Sequence, residues 1–160
     1  MDMDRLAFAR VLHVLAVVVW IGGLSIVTTT LLPAIRRGEL GADWLAAFQA
    51  VEHRFVWQAR IAVLFVGATG LYMIQEADLW DRFSSLAYWW MHAMVGLWAI
   101  FAIGLFIVEP LILDRRLPAL AARRQAATFA WLAGLHWLLL ALSLITVFGA
   151  VAGSHGWLFF

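Results

Sequence analysis

The sequence predicts an all-α integral membrane protein, a four-helix up-and-down bundle forming a single transmembrane domain over residues 1–160. Three observations carry that expectation. Of the 160 residues, 65% are hydrophobic and only 13% charged, too little polar surface for a water-soluble domain of this length. Four apolar stretches, roughly 11–32, 55–74, 86–108 and 126–152, each approach the ~20 residues a helix needs to cross ~30 Å of hydrocarbon. Ten Trp and eleven Phe supply aromatic side chains for two lipid–water boundaries as well as for packing between helices.

The spans are expected as helices because an unpaired backbone cannot lie in lipid. Met1 to Arg5 is too short and too acidic for the start of a signal peptide, so the first span is expected to remain in the mature chain. The amphipathic stretch from Leu40 to Glu52 reads either as a short interfacial helix or as an extension of the second span. Arg36, Arg37, Arg54, Arg115, Arg116, Arg123 and Arg124 fall on one side of the membrane, with Arg60 just inside the second span. Arg5, Arg10 and Arg82 fall on the other. The positive-inside rule then makes the Arg-rich segments cytoplasmic. A multi-pass protein of a bacterial inner membrane results, with both termini on the periplasmic side. Trp80, Tyr88, Trp89, Trp90 and Trp157 fall in the outer aromatic belt.

Sliding the sequence against itself by 79 places superposes His13 on His92, Arg36 and Arg37 on Arg115 and Arg116, Ala62 on Ala141, and Gly70 on Gly149. The pattern suggests two repeated helical hairpins, in which equivalent residues lie at equal depth. His13 and His92 then sit about one to two turns inside the outer boundary.

Ionisable side chains within a bilayer are costly and mark sites of function. On the first helix His13 shares a face with Ala16, Val17, Trp20 and Gly23; on the third, His92 is followed at helical spacing by Gly96, Ala99 and Ile103. Helices one and three are diagonal in an up-and-down bundle, so the two imidazoles can face each other with small residues beneath them. That arrangement suits the two axial ligands of a haem b, or a metal; the alternative is a pair of interhelical hydrogen-bonding residues without a ligand. Arg10 reads either as a partner for a haem propionate or as a snorkelling boundary arginine. His136, near mid-membrane with Leu140 and Ser143 on its stripe, reads as a packing residue, with a second-haem ligand or a proton path as the alternatives. His53 at the cytoplasmic boundary and His155 in the outer tail read as solvated residues, though His155 could meet an external metal or a quinone head group.

Other chemistry is sparse. The absence of Cys excludes disulfides, thiolate metal sites, iron–sulfur clusters and covalently attached haem. Gly22, Gly23, Gly67 and Gly70 suit close helix packing, since no strand precedes them to form a phosphate loop. No basic run interleaved with aromatics indicates nucleic acid. Met91 and Met94 flank His92 and could offer thioethers to copper or to haem iron, although packing is the commoner role.

The segment from His13 through Trp20 to Gly22 and Gly23 resembles the first-helix signature of the CopD-like copper-resistance membrane domain and of the related HemJ-type protoporphyrinogen oxidases. Trp90-Met91-His92-Ala93-Met94 resembles the third-helix signature of the HemJ type, and Arg54-Phe55 through Thr69-Gly70-Leu71 is similar to its second helix. The resemblance implies a haem b bundle in one branch and copper transport or resistance in the other. Met94 stands where the HemJ pattern has a lysine, and this chain has no Lys at all, so protoporphyrinogen oxidation is the weaker implication. The leading expectation is a b-type haem protein, cytochrome b-like, that transfers electrons between a membrane quinol or quinone and a periplasmic redox partner. A homo-oligomer, or a structural subunit of a larger respiratory or photosynthetic complex, is the plainer alternative.

Overall fold

The computed structural model describes residues 2–41 and 43–157, and these are 91% helical without a strand. Four helices are long and apolar enough to cross a membrane: Met3–Arg36, Phe48–Glu76, Leu86–Ile112 and Gln125–Ser154. The chain is a multi-pass, all-α membrane protein. Each helix outruns the apolar stretch that marked it, because hydrophobicity stops where lipid stops whereas backbone hydrogen bonding does not.

The first span comprises α1 (Asp2–Ile26), a π-helical turn over Val27–Leu31 and α2 (Leu32–Arg36). The second is α3 (Trp44–Glu76), whose start takes in residues 44–52 of the Leu40 to Glu52 stretch as an extension of the span. Asp43 caps it, its carboxylate accepting the Ala46 N–H at 3.1 Å. With 33 residues, α3 is ~50 Å long at ~1.5 Å per residue and projects well beyond the hydrocarbon. Two short 3₁₀ turns, Trp80–Ser84 and Leu86–Tyr88, lead into α4 (Trp89–Ile103). A π-helical stretch over Gly104–Leu113 joins α4 to α5 (Asp114–Arg123), and α6 (Gln125–Ser154) is the fourth span.

α1 packs most extensively on α3 and α4 on α6, while α3 touches α4 and α1 touches α6. That is the neighbour order of an up-and-down bundle. One core cluster occupies its middle, where Trp20 of α1 meets Phe101 of α4 across the diagonal, edge to face at 4.7 Å, beside Ala59, Val63, Leu97 and Leu140. The second lies at the Arg-rich end and joins Val27, Leu32, Phe48 and Leu132 to Leu117 and Ala121 of α5, whose Arg115, Arg116 and Arg123 stay exposed. α5 is thus an amphipathic helix that seals the bundle from below.

Glycines let rings cross between helices, as the sequence anticipates for Gly23, Gly67 and Gly70. A Cβ at Gly23 would collide with the Phe55 ring, one at Gly67 would lie 2.8 Å from the Trp98 ring, and one at Gly70 would press on the His13 ring at 3.3 Å. Gly22 faces open space and has no such role. Gly149 and Gly153 do the same for Trp89 and Trp90. Three helix ends close alike. Gly38 (φ 75°), Asp78 (φ 48°) and Gly156 (φ 79°) take the left-handed conformation, and the following N–H reaches back to Ala34, Ile74 and Ala152, at 3.0–3.1 Å in each case.

Candidate functional site

His13 lies half-buried in the α1–α3 seam, its Nδ1 3.0 Å from Thr69 Oγ1. The direction of that bond is fixed by the threonine. Thr69 has one hydroxyl hydrogen and donates it to the Phe65 carbonyl at 2.5 Å, as helical threonines do. With that hydrogen engaged, the oxygen accepts from a protonated Nδ1 of His13. Two turns deeper on the same face, Trp20 is 3% exposed and, among the described residues, its indole N–H has no acceptor. The His13 ring and an unmet indole donor therefore stand on one face of α1.

His92 does not meet His13. Its side chain is exposed, its Nε2 donates to the Phe83 carbonyl at 3.0 Å, and the Phe83 ring meets it edge-on at 5.4 Å. The helical register explains this placement. At about 100° per residue, the inward face of α4 is the one carrying Trp90, Leu97 and Phe101, all buried, and His92 falls about 200° from Trp90. The stripe from His92 through Gly96 to Ile103, expected to line the core, looks outward, with Gly96 and Ile103 both exposed. Met91 is buried among the packing residues and Met94 is half-buried.

The remaining candidates stand apart from one another. Arg10 is exposed. His136 donates from Nδ1 to the Leu132 carbonyl of its own helix at 2.9 Å and abuts the Phe48 ring edge at 6.0 Å, in keeping with a packing role. His53 is exposed, and so is His155, whose Nδ1 bonds the Val151 carbonyl at 2.8 Å. A cleft of about 570 Å³ opens between α1 and α3 on the flank of the His13 seam. Phe8, Leu12, Phe65 and Tyr72 wall it, Thr69 forms part of its lining, and Asp4 and Arg5 stand at its mouth.

One polar constellation is not foreseen from the sequence. Arg60 in the second span donates from Nε to the Leu105 carbonyl at 2.9 Å and from its terminal nitrogen to Glu109 at 2.5 Å. The pair is largely buried, with side-chain exposures of 18% and 12%. Counted with the boundary arginines, Arg60 resembles part of the positive-inside signal. The legible clue is Glu109, an acidic residue inside an apolar run and next to Pro110.

No protein-family model, no curated protein and no solved structure matches this chain. The donor set must therefore be weighed by its own chemistry. Among the described residues no group of three or more His or carboxylate side chains converges in the way a metal ion requires. His13 offers one imidazole, its Nδ1 oriented by Thr69. As placed, His92 supplies no second ligand across the core.

Proposed function

We propose that the chain is a membrane-embedded b-type haem protein in electron transfer, with His13 as the protein ligand to iron and a membrane quinol as redox partner. The observation that supports this reading is the His13–Thr69 bond, which holds an imidazole in one orientation inside a membrane span. When bound, haem would supply a one-electron couple whose potential depends on its axial ligand and the polarity around it. His13 would hold the iron. Thr69 holds the ring of His13 and keeps its proton on Nδ1. The unmet Trp20 N–H is a donor for an acceptor on the bound group, and the aromatic cleft beside Thr69 is open to an apolar ring arriving from the bilayer. By the distribution of arginine, the His13 end belongs on the periplasmic side of a bacterial inner membrane.

A reduced-minus-oxidised spectrum of protein purified from haem-replete cells tests the reading. A b-type signal that disappears in His13→Ala is expected. Haem-free protein of normal yield would sink the proposal, and stoichiometric copper in its place would replace it with a copper-transport role. Reporter fusions at either end test the orientation; both are expected to report the periplasmic side.

A further inference from the structure

We propose that Arg60 fastens a proline joint in the third span and so sets the path by which α5 leaves the membrane. In the π-helical register of Gly104–Leu113, each N–H reaches the carbonyl five residues back. Position 110 is a proline and has no N–H, so the carbonyl of Leu105 loses its partner. Within an apolar span an unmet carbonyl is costly, and no water is at hand to satisfy it. Arg60 supplies the missing donor from the neighbouring helix, through Nε to Leu105 at 2.9 Å. The same guanidinium grips Glu109, the residue just before the proline. One rigid, planar group thus holds both ends of the turn that leads into the proline.

The surroundings suit a permanent charge. The guanidinium carbon lies 5.2 Å from the Trp57 ring centre and 5.8 Å from that of Phe106. Immediately beyond the joint the chain becomes α5, whose Leu117 and Ala121 must reach the lower core cluster. A change in direction at Pro110 would carry them away from it. The first span has its own π turn just ahead of Pro33, where Thr28 and Thr29 donate to the Leu24 and Ser25 carbonyls of the same helix, each at 2.7 Å.

The chain has no native cysteine, so spin labels on Ala50→Cys in α3 and Ala119→Cys in α5, both exposed, report the joint by pulsed distance measurement on the full chain in lipid. A narrow distribution is expected for the parent. Arg60→Met with Glu109→Gln removes the grip without stranding a charge, and should broaden and displace the distribution. Adding Pro110→Ala restores a main-chain donor for Leu105 and should return most of the narrow component. Parent-like distances in the first variant, or no recovery on adding Pro110→Ala, would overturn the proposal. Should the double variant fail to fold, Arg60→Lys takes its place: it keeps the charge but cannot serve Leu105 and Glu109 with one planar fork. A broadened distribution supports the joint, and a parent-like one overturns it.

Discussion

The two helical hairpins, α1 with α3 and α4 with α6, use one packing device to different ends. In each, a glycine on the second helix accepts a ring from the first: Gly70 takes the His13 ring and its counterpart 79 places on, Gly149, takes Trp89. The residue beside each glycine makes the difference. Thr69 beside Gly70 turns the first contact into a hydrogen bond with a defined proton, whereas the matching position in the second hairpin is Phe148, an exposed apolar residue. His92, the counterpart of His13, is left outside the seam. A common layout therefore supports a polar site in one hairpin and plain aromatic packing in the other.

Several substitutions would break or sharpen that contrast. The largest expected effect is the asymmetry between the two histidines. His13→Ala should abolish haem binding while His92→Ala retains it, read from the haem absorbance per protein; equal losses would show that His92 turns inward and that the hairpins are functionally alike. Next is Gly149→Leu, whose side chain would drive against Trp89 and the buried Trp90, at a cost of about 3 kcal/mol. Thermal unfolding in detergent should show this as a clearly lowered Tm, with Gly22→Ala, which faces open space, as the unaffected control.

Thr69→Val keeps the volume in the first hairpin but removes the acceptor for Nδ1–H. Loss of an outer-shell partner of this kind typically weakens ligand retention by about 10- to 100-fold, and haem titration would measure it. An unchanged affinity would mean that Thr69 does not orient the ring. The smallest effect belongs to the turn joining the first hairpin's helices, where Arg37 and Glu39 form an exposed ion pair. The hydrogen bond from Arg37 holds the Glu39 carboxyl below its usual range. Because the folded pKa is lowered, the contribution is present above the ordinary glutamate value of about 4.3 and fades as pH falls through the lowered one. Solvent and salt screen it, so Glu39→Gln should leave Tm at neutral pH almost unmoved.

The number and type of spans were legible because ~20-residue apolar runs have a single stable solution in lipid. The placing of His13 within the first span was legible for the same reason. Rotation about the helix axis was not. α4 is apolar on every side, so no polar face marks its outward surface, and only the parallel with His13 points His92 inward. Burial of Trp90, Leu97 and Phe101 selects the opposite face, by packing that no spacing rule encodes. Arg60 was hidden differently: its partners are a carbonyl and a carboxylate on another helix, and only the fold brings residue 60 to residues 105 and 109.

Between the hairpins, the Trp98 indole of α4 lies over Gly67 and donates to the Val63 carbonyl of α3 at 2.9 Å. This contact exists only once both hairpins are in the bilayer and side by side. A first hairpin without the second would therefore leave Gly67 and the groove around it uncovered to the lipid.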